Sequence, residues 1–188
     1  MKFYKYIFLL LLTPLFSSAQ LGDYYYSDNH PKAKGLNFQI QGPSDFEQQE
    51  AVRPNIVQKW SKIAGNKLIS FNVLVYKDNS LNEYSKDEWR EIFKDNNNRK
   101  DYLAEYGEAA SNIKYFVLDN YPGLVFDAYQ DLERNDMSAL LYLTQASVIV
   151  ESYVFILQLI AEDKTSLNDN RNLFNLVANS IVFPDQYN

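Results

Sequence analysis

Cysteine is absent from this 188-residue chain, and histidine occurs once. Without thiols there are no disulfides, no thiolate metal sites and no cysteine nucleophile. A zinc site needs several nitrogen or sulfur ligands, which one histidine cannot supply. A Ser-His-Asp triad would have to use His30, which precedes Pro31 in a turn-rich stretch, a poor place for a rigid base. No G-x-S-x-G elbow accompanies it. His30 is therefore read as an ordinary loop residue. The six glycines (Gly22, Gly35, Gly42, Gly65, Gly107 and Gly123) are scattered, so no glycine-rich phosphate loop exists. Positive charge is also short: 18 Lys and Arg stand against 24 Asp and Glu, a net of −6. An acidic surface repels phosphate, which disfavours nucleic acid and anionic membranes as partners.

Apolar residues are plentiful, at 46% of the chain, with 15% aromatic. That composition supports a real core in one domain. The chain starts MKFYKYIFLLLLTPLFSSAQ. Lys2 and Lys5 form a positive n-region, Ile7 to Leu12 an apolar h-region, and Ser17-Ser18-Ala19 a small-residue cleavage site. These are the parts of a secretory signal peptide over 1–19. A spanning helix would need roughly 20 apolar residues, and Pro14 interrupts this run. No cysteine follows for lipid attachment. Removing Lys2 and Lys5 leaves 16 basic against 24 acidic residues, a net of −8. The expected destination is the periplasm or the exterior of a bacterial cell, where a disulfide-free domain must rely on its core.

Residues 20–35 (QLGDYYYSDNHPKAKG) lack a clean period and read as an extended lead. Alternation of Leu36, Phe38 and Ile40 with polar neighbours reads as a strand. Two more strands are expected at 56–63 and 67–76, joined at Gly65-Asn66. Ser85 and Glu88 make a capping-box pattern before Trp89, Ile92 and Phe93 at helical spacing. That helix is expected to end in Asn96-Asn97-Asn98, with another short helix over 99–106. A strand at 113–118, a turn at Tyr121-Pro122-Gly123, a strand at 124–133 and a turn at Arg134-Asn135-Asp136 follow. Leu173, Val177 and Ile181 give the chain an amphipathic closing helix.

The most apolar stretch beyond the leader, SALLYLTQASVIVESYVFILQLIAED (138–163), admits two readings. A single membrane helix would bury Glu151 near the bilayer centre, at about 3 kcal/mol or more. A hairpin puts Glu151-Ser152 at a wet turn between arms rich in β-formers. The hairpin is therefore expected, leaving no transmembrane segment in the mature chain. Both arms are apolar on both faces, so both faces need covers. The fold class expected is α+β, an α/β/α sandwich with a mainly antiparallel central sheet and helices on both faces.

GLNFQIQGPSDF (35–46), NYPGLVFDAY (120–129), ESYVFILQLIAED (151–163) and LFNLVANSIVF (173–183) resemble, in that order, the opening strand, central turn-strand, last hairpin arm and closing helix of PsbP-like domains. Phe46 stands where members often have Trp. The resemblance covers about 35–183. It implies the same sandwich, with 36–184 as a single domain. The wider superfamily includes a photosystem subunit, a Mog-type Ran-binding factor and bacterial envelope proteins. It implies accessory or binding roles and no shared active site.

Two sets of residues are candidate sites. Tyr24, Tyr25 and Tyr26 offer contact area at low entropy cost, as binding surfaces do; the plainer reading has their rings cover an edge of the sheet. Asp127, Asp131 and Glu133 share strand parity with Tyr129. Such a row could bind Ca²⁺ or supply the acid and nucleophile of a glycosidase, which needs two carboxyls about 5–10 Å apart. The plainer reading is a solvated strand end. Residues 95–106 hint at a calcium loop, but Lys100 stands where an EF-hand needs Gly and Tyr106 where it needs Glu. No metal and no cofactor is expected. The leading expectation is a non-catalytic exported protein that binds another protein or an envelope component. A small hydrolase acting on sugars is the alternative, and a small apolar ligand held between sheet and helix a third.

Overall fold

The computed structural model describes residues 20–104, 109–134 and 137–187, with the side chains of 132–138 set aside. The expected leader 1–19 lies outside the described residues. Nine strands are described: β1 Leu21–Tyr26, β2 Gln39–Pro43, β3 Glu47–Gln49, β4 Ile56–Ala64, β5 Lys67–Lys77, β6 Ser111–Leu118, β7 Tyr121–Arg134, β8 Met137–Val150 and β9 Tyr153–Ala161. Four α-helices accompany them: α1 Lys86–Lys94, α2 Asn96–Tyr102, α3 Lys164–Asp169 and α4 Arg171–Asn179. β1 and β2 form a two-stranded antiparallel ribbon. The other seven form an antiparallel sheet in the order β3-β4-β5-β9-β8-β7-β6. The long excursion from β5 through α1 and α2 ends with β9 docked beside β5.

Residues 138–163 form a hairpin, as the charge argument required. Val150 pairs with Tyr153, and Glu151 turns the chain in the left-handed region at φ 53°. Glu151 is exposed. Among the described residues no helix is long and apolar enough to cross a membrane. β8 is apolar on both faces, and its residues divide by parity. Ala146, Val148 and Val150 join one hydrophobic cluster, with Leu167 of α3 and Phe174 and Val177 of α4. Leu143 and Ile149 join another, with Phe93 of α1 and Phe126 of β7. A period of two sends alternate side chains to opposite sides.

Three local expectations need correction. The turn between β6 and β7 is Asp119-Asn120, both at positive φ (43° and 73°), and not Tyr121-Pro122-Gly123. Asp and Asn tolerate that region, and such turns match strand twist. Gly123 serves a close approach instead: a Cβ there would lie 2.3 Å from the Ser147 carbonyl oxygen of β8. The asparagine run opens α2 rather than closing α1, because the Asp95 carboxylate accepts from the Asn97 and Asn98 amides at 2.8 and 3.1 Å. The helix over 99–106 is thus Asn96–Tyr102, and residues 105–106 lie outside the described residues. The short α3 was not foreseen; it is capped by Asp163, which accepts from the Ser166 amide at 3.0 Å. The expected turn residues Asn135 and Asp136 lie outside the described residues.

Candidate functional site

β1 carries the three tyrosines, and its pairing decides what each presents. β2 is held on its far side by residues 180–182. Gln39 and Val182 exchange backbone bonds of 2.9 and 3.0 Å, and the Gln41 amide donates to Ser180 Oγ at 2.9 Å. The amides of Gln39 and Gln41 therefore point away from β1. Their opposite residues on β1 are Tyr26 and Tyr24. In an antiparallel ladder such pairs aim their backbone groups outward on both strands. Tyr24 and Tyr26 thus turn N–H and C=O to the outer edge of β1, where no strand pairs among the described residues. Near its start β1 bulges, and the bulge carbonyl of Gly22 accepts from Gln41 Nε2 at 2.9 Å.

The side chains alternate. Tyr24 and Tyr26 are 44% and 54% exposed, their ring centroids 6.2 Å apart. Tyr25 points the other way, against Phe38 at 6.1 Å, Trp60 at 6.4 Å and the His30 ring at 6.5 Å. Burial pushes its phenol pKa up, and its hydroxyl is buried without a hydrogen-bond partner among the described residues. His30 caps a 3₁₀ turn over Pro31–Ala33 by accepting from the Lys32 amide at 3.3 Å. Beside the ribbon lies a cleft of about 370 Å³, lined by Tyr24, Tyr25, Phe46, Gln48 and Trp60 among others. Gly42 lets the Trp60 indole lie on the β2 backbone, since a Cβ would fall 2.3 Å from the ring. Trp60 and Gly42 had no signal as site residues, and Gly42-Pro43, whose Gly-Pro pair suggests an end to the strand expected from Leu36, instead forms the last part of β2.

The carboxylates sit elsewhere. Asp127 accepts from Arg171 Nη1 and Nη2 at 2.8 and 3.1 Å, from Asn112 Nδ2 at 2.7 Å and from Thr144 Oγ1 at 2.7 Å. Burial pushes its pKa up, but these bonds and the Arg171 charge outweigh burial and hold it below the ordinary value. Such a group is a poor proton donor near neutral pH. Asp131 is exposed. Four residues along a strand separate their backbones by about 13 Å, beyond the span of a glycosidase pair. The side chain of Glu133 lies outside the described residues. Asp127 and Asp131 are therefore not brought together.

The architecture is an α+β fold with a large antiparallel sheet. No family model matches the chain, and no curated protein matches it. Solved structures similar in fold do exist. LpqN of Mycobacterium tuberculosis, described as involved in cell envelope biogenesis, aligns with a TM-score of 0.50 at 11% identity, over 85% of this chain and 90% of that one. The cyanobacterial PsbP of Synechocystis sp. PCC 6803 aligns at TM-score 0.49 and 11% identity, over 88% and 93%. PA94 of Pseudomonas aeruginosa, of unknown function, aligns at 0.47 and 13%, over 85% and 96%. The likeness to LpqN is a likeness of fold alone.

Proposed function

We propose that this chain is an exported, non-catalytic binding or accessory protein of the bacterial envelope, and that an extended segment of its partner adds along the outer edge of β1. Its architecture in this reading is an α/β/α sandwich, one hydrophobic cluster on each face of the sheet. Residues 1–19 are the export leader, 20–35 a tyrosine-bearing lead that packs on the domain, and 36–184 that domain. Periplasmic or secreted placement follows from the leader. The fold shared with an envelope-biogenesis protein supports the envelope assignment.

The observation that carries the binding role is the edge itself. Tyr24 and Tyr26 present backbone groups unpaired among the described residues, and two exposed rings, together. Exposed edges take up extended peptides by main-chain hydrogen bonds, and flanking side chains give selectivity. Tyr25 anchors the strand so that the edge is held in place. The second reading, a hydrolase working through Asp127, Asp131 and Glu133, has no comparable support, because Asp127 is committed to Arg171.

Deleting 20–35 would also uncover Phe38 and Trp60, so a milder change is the better test. A photo-crosslinker at Asp23 of the intact chain should capture an envelope component from native cells. Capture should be lost in Tyr24→Ser/Tyr26→Ser, with the melting temperature close to that of the parent. Equal capture by the double variant removes the edge from the binding site.

A further inference from the structure

A second cleft, sharing no lining residue with the β1 ribbon, lies between the start of α1 and the β8–β9 turn. Its volume is about 290 Å³, and Tyr84, Trp89 and Tyr121 give it aromatic walls. Both sides are held. On the α1 side, Trp89 Nε1 donates to the Leu81 carbonyl at 3.1 Å, and the Tyr84 and Trp89 rings meet edge-on at 5.2 Å. Arg90 Nη2 donates to the Asn120 carbonyl at 3.0 Å and to Asn120 Oδ1 at 2.7 Å, tying α1 to the β6–β7 turn. On the other side, the Asp78 amide donates to the Ser152 carbonyl at 2.8 Å, tying the β8–β9 turn to the segment before α1. The cleft is therefore formed before anything enters it, as ligand sites usually are.

Two opposite charges face this cleft without an ion-pair partner among the described residues. Lys86 Nζ sits 5.1 Å from the Tyr121 ring centroid, a cation–π contact, and no carboxylate lies within ion-pair distance of it among the described residues. Glu151 lines the same cleft, makes no ion pair or hydrogen bond among the described residues, and is held at φ 53° by the turn. Burial pushes the Tyr121 phenol pKa up, and the nearby Glu151 charge pushes it the same way. The other two acids near that phenol are already engaged: Asp119 accepts from the Phe183 amide and Gln186, and Asp185 from Asn37. Lys86 and Glu151 line one small aromatic chamber yet lie too far apart to pair with each other.

We propose that this cleft binds a small zwitterion of the α-amino-acid type with a flat apolar side chain. Its carboxylate would meet Lys86, its ammonium Glu151, and its side chain Trp89 and Tyr84. Glu151 is exposed, so each ion contact is made at the water-facing rim and is modest alone, and the ring faces add dispersion and cation–π attraction for the ammonium. A ligand carrying one charge would make only one of the two ion contacts, which is the basis of discrimination.

The test uses three probes with one ring: L-phenylalanine, its amide, which keeps only the positive charge, and its N-acetyl derivative, which keeps only the negative one. Binding is followed by NMR through the Trp89 indole N–H. L-phenylalanine should shift that resonance saturably at millimolar concentration, and each single-charge probe should bind roughly tenfold more weakly. Lys86→Met should erase the preference over the amide alone. Glu151→Gln should erase the preference over the N-acetyl probe alone. No shift with L-phenylalanine, or equal binding of the three probes, overturns the proposal; neither result depends on any variant folding. Preferences that survive both substitutions overturn the assigned roles of Lys86 and Glu151.

Discussion

Asp127 and Tyr25 are both half-buried polar side chains, and their surroundings divide them. Asp127 has three partner side chains; the Tyr25 hydroxyl has none among the described residues. A buried acceptor stripped of its partner suffers its full desolvation penalty, whereas removing an unpartnered polar atom does not. Arg171→Met should therefore lower unfolding stability by about 1–2 kcal/mol. Tyr25→Phe should leave stability unchanged or raise it by up to about 1 kcal/mol. Urea denaturation of both variants reads the contrast, and a Tyr25→Phe protein weakened as much as Arg171→Met would mean that its hydroxyl has a partner. The strand parity of Asp127, Asp131 and Glu133 was legible in the sequence. The neutralising arginine was not, because it arrives from 44 positions away. Likewise YYY reads as one patch until the pairing of β1 separates two outward rings from one inward ring.

Elements with local causes were the legible ones. The capping box of α1 is formed as its residues imply: the Glu88 amide donates to Ser85 Oγ at 3.3 Å, and the Ser85 amide to Glu88 Oε2 at 2.7 Å. Ser85→Ala should destabilise α1 by about 1 kcal/mol, seen as faster amide exchange over 86–94 with β8 and β9 unaffected. Uniform loss of protection across the sheet would contradict a local role. The β8–β9 hairpin and α4 were legible for the same kind of reason, since periodicity and a charged turn residue lie within a few positions of each other. The β6–β7 turn was misplaced because Pro-Gly outranks Asp-Asn as a turn signal. Only contact with β8 reveals why Gly123 belongs inside a strand. α3 was missed because six residues with a single buried apolar side chain, Leu167, give no helical period.

At the scale of the whole molecule, acid should act through carboxylates that titrate low in the folded state. Asp163 is lowered to about 2, first by the hydroxyl and amide of Ser166 and then by Lys67, and Asp127 is lowered as described above. A depressed folded value means that the unfolded chain binds protons first as pH falls. The stability Asp163 contributes is thus complete above about pH 4 and is lost between there and about 2, and that of Asp127 is likewise lost as pH falls below the ordinary carboxylate range. Urea midpoints across that range should fall less steeply in Asp163→Asn, whose amide still caps α3 but no longer pairs with Lys67; parallel curves would show that Asp163 contributes nothing to the acid response. By itself the sequence determined the leader-like start, the absent chemistries, the wet turn at Glu151 and the need to cover both faces of its strands, because each follows from composition or from neighbours in the chain. Only the tertiary structure decided that β9 docks beside β5, that Arg171 silences Asp127, and that Lys86 and Glu151 share one aromatic cleft. Those are encounters between residues far apart in the chain, and no local period encodes them.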